Sequence, residues 1–174
     1  MEPLEVLIYP EPALRRVGRP VTAFDADLRG LADRMCKAMY LDDGCGLAAP
    51  QVGIDLNLLV LNPNGDPSDT AGELVLLNPK ITKKKGREYD EEGCLSLPGI
   101  RAEVERWVHI TISYQDLSGK EQTLQCANLL ARIVQHELDH LDGVLFVDRL
   151  TAADKMRVRP LLERLERRYQ DRKD

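Results

Sequence analysis

The chain has 174 residues, enough for one domain with a substantial core and too few for two, and 43% of them are hydrophobic and 30% charged, with a formal net charge of −5. From Arg149 onward nine Lys/Arg face five Asp/Glu, a net of +4, so residues 1–148 carry 15 basic and 24 acidic groups, a net of −9. The acidic body argues against general nucleic-acid binding, no apolar run approaches the roughly 20 residues of a membrane span, and the opening M-E-P-L-E-V-L-I-Y-P lacks the basic start and long apolar stretch of a secretory signal.

In chain order, Val6 to Val21 is broken by Pro10, Pro12 and Pro20, so it reads as an extended arm laid across the body. Asp25 is placed to cap a helix running to about Tyr40, with Leu28, Leu31, Met35 and Met39 as its buried stripe. Asp42 to Gly53, D-D-G-C-G-L-A-A-P-Q-V-G, has two glycines flanking Cys45, which suits a backbone that passes close to something. A strand is expected over Leu56 to Leu61 and, after the loop N-P-N-G-D-P-S-D-T-A-G, a second over Leu74 to Leu77. Lys83, Lys84 and Lys85 read as a solvated strand end or turn. Val108, Ile110, Ile112 and Tyr114 alternate with polar positions and mark a half-buried strand, with a return strand through Gln122, Leu124 and Cys126. Trp107 and His109 fall on the polar side of that alternation, so His109 is expected at the surface, and Cys126 is expected to be buried. The four cysteines are read as thiols or ligands rather than disulfides.

A second helix pattern runs from Ala127 to Asp142. Leu129, Leu130, Ile133, Val134, Leu138 and Leu141 build an apolar arc, while Arg132, Gln135, Asp139 and Asp142 share the opposite, polar arc. Within it stands Q-H-E-L-D-H: His136 and His140 are one turn apart on the same face, the spacing at which two imidazoles bind one divalent ion. Glu137 falls inside the apolar arc, roughly 100° from His136, where a carboxylate is costly unless something compensates it, and it is placed to act as a general base. Gly143 follows where a helix commonly stops. Thr151 with Asp154 resembles a capping box opening a last helix, which Pro160 would kink or restart. Leu161, Leu162, Leu165 and Tyr169 would be its buried stripe, under an arginine-rich outer face.

Two histidines leave a catalytic metal one protein ligand short. With His109 at the surface, the third is a carboxylate or a thiolate. Cys94, in the segment E-G-C-L-S-L-P-G, is the best thiolate candidate and reads equally well as a buried structural cysteine.

Three separated motifs, G-C-G-L-A-A-P-Q (Gly44 to Gln51), E-G-C-L-S (Glu92 to Ser96) and Q-H-E-L-D-H (Gln135 to His140), together resemble peptide deformylase. The resemblance implies that His136, His140 and Cys94 bind one divalent metal, natively Fe²⁺ and replaceable by Zn²⁺, Ni²⁺ or Co²⁺. It implies that Glu137 transfers protons between water and the departing amine, that the Gln51 side-chain amide and the Leu95 backbone N–H stabilise the oxyanion, and that Gly46 aligns the substrate. The methionine side chain needs an apolar pocket, for which Leu129 and Ile133 are the candidates, with Cys45 at a motif position where an aliphatic residue is common. Arg132 is read as solvated or at the pocket mouth. The implied substrate is the N-formylmethionine end of nascent polypeptides in a bacterial cytoplasm or an organelle, with ribosome contact through the last helix.

The expected fold is α+β over residues 1–174, with antiparallel strands around a central metal-binding helix and a helix at each end. Two other functions compete. A zinc endoprotease, which HExxH alone would fit, expects a downstream His or Glu as third ligand, yet no histidine follows His140. A non-catalytic protein binding formylated N-termini would be favoured by loss of Glu137 or Gln51, and both are present.

Overall fold

The computed structural model describes residues 4–172. Residues 1–3, where the reading of the N-terminal start partly falls, and 173–174 lie outside it. Five strands, β1 (Gly46–Ala48), β2 (Leu58–Leu61), β3 (Leu74–Glu92), β4 (Ala102–Gln115) and β5 (Glu121–Ala127), form one sheet in sequence order. Every neighbouring pair is antiparallel. Three α-helices, α1 (Ala26–Leu41), α2 (Asn128–Leu141) and α3 (Ala152–Asp171), complete the α+β architecture that the sequence predicts.

The sheet is buried on both faces where it is most apolar. Successive strand residues point to opposite sides, so Leu58 and Val60 of β2 pack with Met35 and Met39 of α1, while Leu59 and Leu61 pack with Ala131 and Val134 of α2. That double burial explains why β2 reads as an unbroken apolar run. The α2 helix is thus wedged against the sheet and is central to the fold. A third cluster joins the arm and α3 to the rest, through Leu14, Leu97, Val104, Phe146, Val158 and Leu165.

The caps follow the sequence closely. The Asp25 side chain accepts from Leu28 N at 3.0 Å, and the Thr151 hydroxyl accepts from Asp154 N at 3.2 Å. Gly143 ends α2 with φ +71, and a Cβ there would meet Arg15 O at 2.5 Å, so both conformation and space require glycine. The last helix runs unbroken through Pro160, an exposed position where the ring faces outward.

Strand β3 departs from expectation. It continues for 19 residues instead of ending at Leu77, so Lys83, Lys84 and Lys85 are exposed residues inside a strand and not at its end. Asn78 takes φ 51, and register shifts between Leu77 and Lys80 and between Ile81 and Lys83 absorb the break as bulges. Residues 83–91 beyond are exposed, so no apolar alternation betrays them. His109 is exposed, Cys126 is buried and all four cysteines are free thiols, as expected.

Candidate metal and catalytic site

The histidines of α2 meet Cys94, which lies in the turn between β3 and β4. Cys94 Sγ is 3.3 Å from His140 Nε2, which is 3.3 Å from His136 Nε2. The three donor atoms lie within 4.8 Å of one another and can hold a metal ion. The turn is fixed by Leu97 N donating to Cys94 O at 3.0 Å and by the N-terminal arm, whose Tyr9 N donates to Ser96 O at 2.9 Å. The arm also binds the end of the first motif, Leu7 N donating to Gln51 O at 2.8 Å.

The polar arc of α2 is the principal correction to the sequence reading. Arg132, Gln135 and Asp139 are buried, not solvated; only Asp142 of that arc is exposed. Gln135 clamps the Trp107 backbone, accepting from its N at 2.9 Å and donating to its O at 2.8 Å. Arg132 donates to Glu92 Oε1 at 2.9 Å and to the carbonyls of Val104 and Glu88 at 2.8 and 3.0 Å. It therefore braces β3 against β4. Arg106 donates to both oxygens of Glu92, at 2.8 and 3.0 Å, and to Asp139 at 2.6 Å.

Glu92 closes this network on the metal site: its Oε2 lies 2.8 Å from His136 Nδ1. A carboxylate there accepts a hydrogen bond from Nδ1–H and leaves Nε2 free to ligate, the arrangement that fixes a metal-binding imidazole. Burial alone would raise the Glu92 carboxyl, but the bonds from His136 and Arg106 outweigh it and hold it down at about 2. The donor set of one thiol and two imidazoles, one with its tautomer fixed, fits a divalent ion of the Fe²⁺, Co²⁺, Ni²⁺ or Zn²⁺ type.

Glu137 sits beside this group without joining it. Its Oε2 is buried and has no hydrogen-bond partner among the described residues. Burial pushes its carboxyl up to about 7. Space for it is left by Gly46, where a Cβ would lie 2.6 Å from Glu137 Oε1. Gln51 is also buried: its Oε1 accepts from Ala48 N at 2.8 Å, which turns its Nε2 toward Ser96 Oγ at 3.2 Å and Cys94 Sγ at 3.7 Å.

A cavity of about 510 Å³ opens over these groups. Cys45, Gly46, Gln51, Cys94, Leu95, Leu129, Ile133, His136 and Glu137 all line it, so it gathers every expected site residue except His140, which lies buried behind. Leu129 is exposed at its mouth, although it belongs to the apolar arc. Cys45 is half-buried, and burial pushes its thiol up.

Sequence reasoning gave no role to Glu92, Arg106 or Asp139. One signal was present: Arg106 shares strand parity with Val104 and Ile110, so a charge interrupts the buried face of β4 just as Glu137 interrupts that of α2.

The family model for polypeptide deformylase matches residues 3–156. Peptide deformylase 1B of Arabidopsis thaliana is 44% identical over 98% of this chain, and the peptide deformylase of Nitrosococcus oceani 43% identical over 94% of it. The alignment covers 96% of the bacterial protein but 62% of the Arabidopsis one, so this chain spans about three fifths of the plant relative's length. Among solved structures, a plant peptide deformylase 1B superposes with a TM-score of 0.95 at 44% identity, covering 99% of this chain and 94% of that one. The peptide deformylase of Plasmodium falciparum superposes with a TM-score of 0.93 at 39% identity, covering 96% and 98%. No helix among the described residues is long and apolar enough to cross a membrane. Sequence, fold and the meeting of three distant motifs at one cavity agree: this chain belongs to the polypeptide deformylase family.

Proposed function

We propose that this chain removes the formyl group from the N-terminal formylmethionine of newly made polypeptides, releasing formate, with one divalent metal held by Cys94, His136 and His140. The observation that carries this reading is the convergence of those three donors beside a cavity lined by a buried Glu137, whose Oε2 has no hydrogen-bond partner among the described residues. When bound, the metal supplies Lewis acidity, making water acidic enough to attack a formamide near neutral pH. We assign it as Fe²⁺ natively, in keeping with the family resemblance and with a mixed thiolate and imidazole donor set.

The remaining work falls to the chain. Glu137, with a carboxyl near 7, takes a proton from the attacking water at its free oxygen and returns it to the departing amine. Gln51 Nε2 and Leu95 N–H donate to the oxygen that gains charge; one such donor is typically worth about 3–4 kcal/mol. Gly46 offers a backbone edge for the substrate chain, and Leu129, Ile133 and Cys45 border the space for the methionine side chain.

The setting proposed is a bacterial cytoplasm or an organelle of bacterial descent. The exposed Arg157, Arg164, Arg167 and Arg168 of α3, with Arg172 at its C-cap, form a basic face suited to ribosomal RNA. The test is formate release from a formylmethionyl peptide by protein purified without oxygen, with metal quantified in the same sample. One metal per chain and formate release are expected; no release from metal-loaded protein overturns the reading.

A further inference from the structure

The buried ion-pair chain behind α2 ends at the surface, at Arg149. This residue closes the short 3-10 turn Phe146–Arg149, and its side chain is 46% exposed. It nevertheless grips a buried carboxylate with both arms of its guanidinium. Arg149 Nε donates to Asp139 Oδ2 at 2.5 Å and Nη2 donates to Oδ1 at 2.6 Å. Asp139 Oδ2 also accepts from Arg106 Nη1 at 2.6 Å, and Arg106 in turn holds both oxygens of Glu92, which fixes His136. Two fork-shaped pairs, Arg149 with Asp139 and Arg106 with Glu92, are thus joined end to end and terminate on a metal ligand.

The partners of Asp139 make Arg149 consequential despite its exposure. Among the described residues, Asp139 Oδ1 accepts a side-chain hydrogen bond from Arg149 alone. Taking Arg149 away leaves a carboxylate oxygen uncompensated in a side chain that is 9% exposed, where such a loss is expensive. Asp139 then competes with Glu92 for Arg106, the residue that holds both oxygens of the carboxylate against which the His136 ring is set, leaving Arg132 on Oε1 as the undisturbed tie.

We propose that Arg149 is a positioning residue of the metal centre, acting through Asp139, Arg106 and Glu92 on His136. The inference rests on reading Cys94, His136 and His140 as the ligands. It differs from a merely structural tie, which would hold the 3-10 turn against α2 and leave the metal indifferent.

The experiment uses the full chain with Co²⁺ as the probe, measuring its dissociation constant by chelator competition, its visible absorption spectrum and the melting temperature. Groups touching a ligand directly typically change affinity 10–100-fold, so Arg149→Leu, three links further out, is expected to weaken Co²⁺ binding by about three- to tenfold and to alter the spectrum. Arg149→Lys, which keeps the charge and loses the fork, is expected to fall between. Arg159→Leu, which removes the exposed pair with Glu163, is expected to match the parent. A lowered melting temperature with unchanged Co²⁺ affinity and spectrum in Arg149→Leu overturns the proposal. If that variant does not fold, parental affinity and spectrum in Arg149→Lys overturn it instead. A parent chain that binds no Co²⁺ overturns the ligand assignment, and this inference with it; a binding parent with an indifferent variant overturns this inference alone.

Discussion

Gly46 and Glu137 share one space: a Cβ on Gly46 would stand 2.6 Å from Glu137 Oε1 and 2.9 Å from its Cγ. The glycine of the first motif therefore clears room for the carboxylate of the third. Gly46→Ala should push Glu137 aside while leaving Cys94, His136 and His140 in place. A misplacement of about 1 Å typically costs about a hundredfold in rate, so formate release should fall about 10–100-fold at unchanged metal content. Parental turnover in the alanine variant would show that Glu137 need not sit where it does.

Glu137→Gln keeps the shape of the side chain but accepts no proton. The variant should fold, retain its metal and bind formylmethionyl peptide, and release formate at least about a hundredfold more slowly. Were Glu137 only a structural partner, the variant would lose stability and keep most of its turnover per folded molecule.

Cys94→Ala removes the one proposed ligand that comes from outside α2. Because the two histidines then face the metal alone, the variant should lose both metal and activity and melt at lower temperature, since metal binding and folding are coupled. Metal analysis decides it: one tightly held equivalent in Cys94→Ala would reassign the third ligand.

Acid sensitivity should centre on Glu92. Its carboxyl is held at about 2 in the folded protein against an ordinary 4.5, so the stabilisation is present above about pH 4.5 and is lost as pH falls toward 2. That span corresponds to something on the order of 3 kcal/mol. Denaturation of the parent at pH 7, 4 and 3 should show the loss. Glu92→Gln should be less stable at pH 7, because Arg106 loses one of its two charged partners, and should depend less on pH over this range. An equally steep pH dependence in the glutamine variant would place the effect elsewhere.

Replacing Arg164, Arg167 and Arg168 together with Gln should weaken salt-sensitive co-sedimentation with ribosomes while leaving formate release from short peptides unchanged. These three are exposed, whereas truncating α3 would strip Val158 and Leu165 from the core and confuse the result. Co-sedimentation that is equal in both proteins and indifferent to salt would count against phosphate contacts.

Much of this molecule was legible in the order of its residues. The helices announce themselves through Asp25, Thr151 and Gly143, because capping and helical periodicity are local and act over three or four residues. His136 and His140 could be placed on one face for the same reason, and Glu137 stood out because it broke an apolar arc. The length of β3 was not legible: its exposed half gains its conformation from pairing with β4, so no periodicity marks it.

What only the tertiary structure decided is which charged residues lie inside. Arg132 and Asp139 have the spacing of a solvated helix face, yet α2 presents them to β3, β4 and the turn after the helix, where Glu92, Arg106 and Arg149 neutralise them. His136 meets Glu92 across 44 residues of chain, and Arg106 meets Asp139 across 33. A charge buried without its counter-charge would be prohibitively costly, and a counter-charge that distant leaves no local pattern. Each residue alone reads as surface; only when the chain has closed does each find the partner that permits its burial.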